Sequence, residues 1–299
     1  MEKKKHTVVS IYLFKKIINI FNMKNKIKSI LKNYNVKGIV LLAPEGFNVN
    51  ISFLTEECNN ILEDLRRIML FSNEDIKLSY YDNHIFRKIK IKIKKEILST
   101  NNTIIIDKKK KVGEYIKPKD WDGFIKDPNV ILIDTRNDYE IKLGTFKKAI
   151  NPGCKDFTSI LEWIKKNILI ENNKGKKIAM FCTGGIRCEK ATSFIKSSGF
   201  NQVFHLKGGI LNYFKSKKQY SSWVGECFVF DNRVSVNKKL EIGTFDLCYA
   251  CRMPINASDK NSESFKQGIS CPNCKGKKSL SQLNKFITRQ HQYILEKNK

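Results

Sequence analysis

The stretch that most constrains this chain is an apolar run that ends on a cysteine and restarts as a helix. Residues 176–198 read KKIAMFCTGGIRCEKATSFIKSS. The run 178–181 is short, uncharged and fits a buried strand of a parallel sheet. Cys182 falls where that strand should end, and Thr183-Gly184-Gly185-Ile186-Arg187 forms a tight loop. From about Cys188 the pattern turns helical, with Ala191, Phe194 and Ile195 spaced for one face. A thiol between a strand's carboxyl end and a helix's amino end meets unpaired backbone N–H groups and the positive end of the helix dipole. Both favour the thiolate, the reactive form, and Arg187 adds to the effect. The two glycines let the backbone curl so that its amides point at one anion. The blander reading is a strand-end cysteine that packs as a small hydrophobe. The coincidence of loop, helix start and arginine favours the reactive one.

Loop length narrows the chemistry. Cysteine phosphatases of the C-x5-R type place arginine six positions after the nucleophile, so that the loop wraps a phosphate. Here Arg187 lies five positions after Cys182, and Cys188 occupies the sixth. Sulfur chemistry fits the shorter loop better, and the stretch resembles the active-site loop of rhodanese domains, whose cysteine carries a persulfide. The run Val130-Ile-Leu-Ile-Asp134-Thr-Arg136-Asn-Asp-Tyr-Glu140, then Gly144 and Ala149-Ile-Asn-Pro152, resembles the opening strand and acidic–basic turn of that fold. Phe204-His-Leu-Lys-Gly-Gly209 resembles the strand and turn after the active-site helix. Four segments together carry a narrower likeness: CTGGIRCEKA (182–191), LAPEGFNVNIS (42–52), WVGECFVFDNRV (223–234) and the distal cysteine pairs. They resemble the rhodanese-like tRNA uridine hydroxylases, which make 5-hydroxyuridine at the wobble position with molecular oxygen. The resemblance implies tRNA as partner and oxygen as co-substrate. It departs at Gly144-Thr145-Phe146, where many rhodaneses have Gly-His-Ile.

A formal charge of +27 suits a polyanionic partner, although only 8 of the 56 basic residues are arginine. Lysine, asparagine and isoleucine are plentiful throughout, so compositional bias accounts for part of that charge. Nine cysteines, an odd number, divided between a reactive-thiol pattern and a metal-ligand pattern, indicate a reducing compartment. The basic amino terminus is followed by no cleavage site of small residues. No uncharged stretch approaches the roughly 18 residues of a membrane helix, so the expectation is a cytoplasmic protein.

Taken in order, the fold class expected is mixed α/β and α+β. Residues 1–100 read β-α-β-β-α-β, a ferredoxin-like module, with Thr55 as a candidate N-cap of its second helix. Within it, FRKIKIKIKKEIL (86–98) alternates apolar and basic residues. That suits either an edge strand guarded by lysines or a basic ridge against an RNA backbone. Residues 101–119 read as a basic linker containing the lysine run Lys108–Lys111. Residues 120–218 form the rhodanese-like, doubly wound parallel sheet. There Asp134 and Arg136 follow a strand's carboxyl end and either form a structural ion pair or frame the pocket.

Residues 219–299 are cysteine-rich. Cys248-Tyr-Ala-Cys251 and Cys271-Pro-Asn-Cys274 are two C-x2-C knuckles separated by 19 residues, the spacing of one tetrahedral zinc site of four thiolates. With every ligand supplied by protein, such a zinc is structural. Cys58, Cys154 and Cys227 have no ligand or nucleophile context. Cys188 is either a resolving thiol for Cys182 or a residue of the helix's buried side. The histidines His6, His84, His205 and His291 are dispersed, and no G-x-G-x-x-G fingerprint is present, so no redox cofactor is assigned. Three functions follow: a tRNA uridine hydroxylase with a thiol-derived intermediate at Cys182, a sulfurtransferase that passes persulfide sulfur to tRNA or a carrier protein, and a noncatalytic anion-binding scaffold. In the first, Arg187 and the loop amides stabilise charge on the sulfur.

Overall fold

The computed structural model describes residues 5–101, 112–216 and 222–297, and the Lys108–Lys111 run lies outside these. The chain divides into two compact units: Met1–Asn137 with Ala149–Tyr213, and Asp138–Lys148 with Phe214–Lys299. No helix among the described residues is long and apolar enough to cross a membrane.

The first unit opens with β1 (His6–Phe14), α1 (Ile20–Leu31), β2 (Lys37–Ala43), β3 (Gly46–Leu54), α2 (Cys58–Met69), β4 (Lys77–Tyr81) and β5 (Ile89–Ile93). The strands form one sheet in the order β4-β1-β3-β2-β5, the ferredoxin-like arrangement extended by a fifth strand. Alternation along β2 buries Val40 and Leu42, and the same period on β3 buries Val49 and Ile51. Both helices cover that face, through Ile27 and Leu31 of α1 and Ile61 and Leu65 of α2. Thr55 does not cap α2. A turn of 3₁₀-helix spans Thr55–Glu57, and the Thr55 hydroxyl instead accepts a hydrogen bond from Thr7 at 3.1 Å. The alternating stretch at 86–98 supplies β5, an edge strand parallel to β2, with Lys90 and Lys92 exposed.

Then follow β6 (Glu114–Ile116), α3 (Pro118–Phe124), β7 (Val130–Asp134), α4 (Asp138–Ile141), β8 (Gly144–Phe146), α5 (Phe157–Asn167), β9 (Lys177–Phe181), α6 (Ile186–Ser197), β10 (Val203–Leu206) and α7 (Gly209–Ser216). Strands β6-β10-β9-β7 make an open sheet, all parallel. The stretch 101–119 is therefore not all linker. Its end is the edge strand β6, which pairs Tyr115 with His205, and the start of α3. Strand β9 is buried at Ile178, Ala179, Met180 and Phe181, as a strand inside a parallel sheet must be.

In the second unit β8 pairs antiparallel with β11 (Trp223–Gly225). Phe146 and Trp223 meet edge to face at 5.0 Å, which is why residues 138–148 group with the carboxyl-terminal chain and not with the central sheet. The rest of this unit is small: β12 (Cys227–Phe228), β13 (Ser235–Val236), β14 (Asp246–Leu247), β15 (Pro254–Ile255), α8 (Ala257–Asn261) and the long α9 (Leu280–Lys297).

Within the first unit a buried lysine ties the central domain to the amino-terminal one. Lys190 of α6 is fully buried, and its ammonium meets Glu45 at 2.9 Å and Glu96 at 3.1 Å. It also donates to the Leu98 carbonyl at 2.8 Å. Glu45, in the turn between β2 and β3, additionally accepts the Ile97 amide at 2.8 Å. Burial opposes ionisation of Glu96, yet hydrogen bonds from Thr100 and Lys190 hold its carboxyl below the usual range. A depressed carboxylate stabilises the fold fully above its unfolded pKa, and that contribution is lost as pH falls through the lower folded value. Lys190→Met strands two carboxylates, and the expected loss is about 3–5 kcal/mol of stability in urea unfolding at neutral pH. Adding Glu96→Gln to Lys190→Met recovers part of that loss.

Candidate active site and metal centre

Strand β9 delivers Cys182 to its carboxyl end, and α6 begins four residues later. The turn between them depends on Gly185, which sits at φ 104° as the N-cap of α6. Sheet and turn then hold the loop from behind. Ile210 N–H donates to the Cys182 carbonyl at 3.0 Å and Leu211 N–H to the Thr183 carbonyl at 3.2 Å. This requires glycine at 209, where a Cβ would lie 2.5 Å from the Cys182 oxygen.

The sulfur of Cys182 is buried and accepts the Gly185 N–H at 3.0 Å. Burial works against its ionisation. The Cys188 thiol, the Arg187 guanidinium and the Cys188 and Gly185 amides outweigh burial and bring Cys182 down to about 6. Cys188 is fully buried, and its thiol is pushed up by that burial and by its hydrogen bond to Cys182. It therefore remains protonated and donates to the Cys182 thiolate, with the Thr135 hydroxyl 3.6 Å away on its other side. Cys188 thus takes the buried-side position of its helix, where its side chain also hydrogen-bonds Cys182 with no disulfide between them.

The other loop residues divide by role. The buried Thr183 hydroxyl has no hydrogen-bond partner among the described residues and so is available to a bound group. Ile186 packs against Phe14, Ala43 and Ile97 of the amino-terminal sheet. Asp134 and Arg136 form a fully buried pair at 2.6 Å, closed by two further hydrogen bonds from Arg136 to Asp134 Oδ1 at 2.9 and 3.1 Å. With no side-chain exposure they brace the turn after β7 and do not face solvent.

Residues absent from the sequence reading complete the surroundings. Tyr12 of β1 donates to Glu189 at 3.0 Å, and Tyr115 of β6 donates to the same carboxylate oxygen at 3.1 Å. Lys77 of β4 donates to the Gly184 carbonyl. Glu189 stands inside the quoted CTGGIRCEKA stretch but carries no spacing signal, and Lys77 is one lysine among many. The histidines also differ from expectation, because His6 and His84 lie together, with ring centroids 4.3 Å apart and planes tilted by 58°. Burial comes first among the causes that lower His84 to about 4.

In the second unit the four cysteines converge. The reactive atoms of Cys248, Cys251, Cys271 and Cys274 all lie within 4.8 Å of one another. Sulfur–sulfur separations are 3.7 Å for Cys251–Cys271, 3.8 Å for Cys271–Cys274 and 4.0 Å for Cys248–Cys274. Four thiolates around a tetrahedral zinc at about 2.3 Å stand roughly 3.8 Å apart, so the donor set fits that metal. The surrounding core is slight, with Ile255 as its one fully apolar buried residue beside the cysteines. Cys227 is buried elsewhere, and Cys58 and Cys154 pack at the margins of the two larger cores.

Two measurements follow. Thiolate ultraviolet absorbance, taken as the difference from Cys182→Ala, should titrate with a midpoint near 6, well below the ordinary thiol value of about 8.5. Reactivity that needs the thiolate should then hold above that midpoint and fade below it. For the metal, the reduced protein should contain one zinc per chain, and Cys271→Ser should lose it and open the second unit to proteolysis.

Residues 6–97 match the UPF0176 acylphosphatase like domain and residues 117–216 match the rhodanese-like domain. Among solved structures, a rhodanese-related protein from Thermoplasma volcanium shares 21% identity over 36% of this chain and 95% of its own, with a TM-score of 0.28. A single domain sulfurtransferase of Saccharomyces cerevisiae shares 19% identity over 35% of this chain and 91% of its own, with a TM-score of 0.29. A rhodanese-like domain from Anabaena shares 17% identity over 37% of this chain and 78% of its own, with a TM-score of 0.31. The chain therefore carries a domain similar to the UPF0176 acylphosphatase like domain, followed in sequence by a rhodanese-like domain.

Proposed function

We propose that this protein hydroxylates C5 of the wobble uridine in tRNA with Cys182 at the reaction centre, one oxygen atom of O2 entering the base and the other leaving as water with two electrons from an external reductant. Rhodanese loops ordinarily hold a sulfur-borne negative charge, and Cys182 has the donors for that: the Gly185 amide, the Cys188 thiol and the Arg187 field. The partnerless Thr183 hydroxyl supplies a further donor toward a group bound at the sulfur. The lysines of β5 give the polyanionic substrate a surface to lie on, with exposed Lys90 and Lys92 acting as point charges to phosphates. The same sulfur cradle suits a persulfide, so transfer of sulfur to tRNA or a carrier protein is the competing reading.

Nucleoside mass spectrometry of tRNA separates the readings. In cells whose only copy is Cys182→Ser, 5-hydroxyuridine should vanish while thiolated nucleosides persist. Loss of 2-thiouridine with 5-hydroxyuridine retained would assign sulfur transfer instead. Retention of both would leave the loop a noncatalytic anion site.

A further inference from the structure

The amides and side chains of α6 do not by themselves surround the active-site loop. Two residues of the amino-terminal sheet reach it. Tyr12 approaches Gly185 so closely that a Cβ there would fall 2.7 Å from the phenol oxygen. The Lys77 ammonium lies 4.8 Å from the centre of the Tyr12 ring and donates to the Gly184 carbonyl. Burial lowers the pKa of Lys77, and the negative charges of Cys182 and Glu189 work against that loss.

One peptide unit gives this contact its meaning. The Gly184 carbonyl and the Gly185 N–H belong to the same planar amide, and in a trans peptide they point in opposite directions. Lys77 binds the oxygen end, while the nitrogen end donates to Cys182 Sγ at 3.0 Å. The series therefore runs ammonium, carbonyl, amide, sulfur. A cation on the oxygen draws electron density from the nitrogen, so the N–H becomes a stronger donor to the anion beyond it.

We propose that Lys77 is a positioning residue for Cys182, clamping the Gly184–Gly185 peptide and polarising it toward the sulfur, so that the amino-terminal domain completes the active site. This rests on the reading of Cys182 as the reactive thiolate. The charged and titratable groups acting on that sulfur are Arg187, Cys188 and Glu189 on α6, Tyr12 on β1 and Lys77 on β4, while Tyr115 on β6 and Asp134 at the end of β7 act on Glu189 and Cys188 beside it. Lys77 is the cation that the amino-terminal domain contributes to this group. A purely structural lysine would tie two sheets together without altering the sulfur's ionisation.

The test is the thiolate titration of Cys182 in the full-length protein. Lys77→Met should move the midpoint up by about one pH unit, a roughly tenfold drop in thiolate over thiol on the acidic side. Lys77→Arg, which keeps the charge, should restore most of it. Lys77→Gln keeps a donor without the charge and carries the test if Lys77→Met fails to fold. An unmoved midpoint in a folded neutral variant, even with a lowered melting temperature, overturns the proposal. An ordinary thiol midpoint in the unsubstituted protein would instead remove the reading of Cys182 itself.

Discussion

Holding a negative charge on a sulfur away from water is the constraint around which the first unit is arranged. Burial alone would keep Cys182 protonated. The chain counters this with the Cys188 thiol and the Arg187 charge first, and then with the Cys188 and Gly185 amides, whose dipoles are fixed by the fold and need no reorganisation when charge appears. Arg187, whose guanidinium favours the thiolate, is itself largely buried. Cys188 adds a neutral S–H donor, and its own raised pKa keeps it one. One thiol of the pair ionises because the other does not.

The amino-terminal domain is joined to that arrangement by buried contacts. Lys190 lies one residue after Glu189 on the same helix, and its pairing with Glu45 and Glu96 fixes α6 against the ferredoxin-like sheet. A cation buried between two carboxylates has little freedom to slide, since each partner left alone would be an uncompensated buried charge. Ile186 packing against Phe14, Ala43 and Ile97 adds an apolar contact at the start of the helix. With α6 held at both its start and its middle, Tyr12 and Lys77 reach the loop at fixed distances. The acylphosphatase-like domain is thus part of the wall of the site as well as a candidate surface for nucleic acid.

The second unit obeys different physics. Its strands are two or three residues long and its cysteine cluster sits in a core too small to order itself by apolar burial. A metal held by the four cysteines would substitute for that missing core, and its closed coordination would leave no position for substrate.

Much of this was legible in the primary structure. The strand, cysteine, paired glycines and helix of 176–198 are local, and so are the two C-x2-C pairs, because chain neighbours supply every necessary group. The period-2 and period-3.6 patterns set the ferredoxin-like order and the buried strand β9 for the same reason. What the sequence could not show were partnerships made across the fold: Lys77 with Gly184 over 107 residues, Tyr12 with Glu189 over 177, and Lys190 with Glu96 over 94. It also missed β8 pairing with β11, which takes residues 138–148 out of the central domain. Chain periodicity reports which face of an element is apolar. Which lysine of 48 ends beside a sulfur depends on how two sheets dock, and only the folded chain decides that.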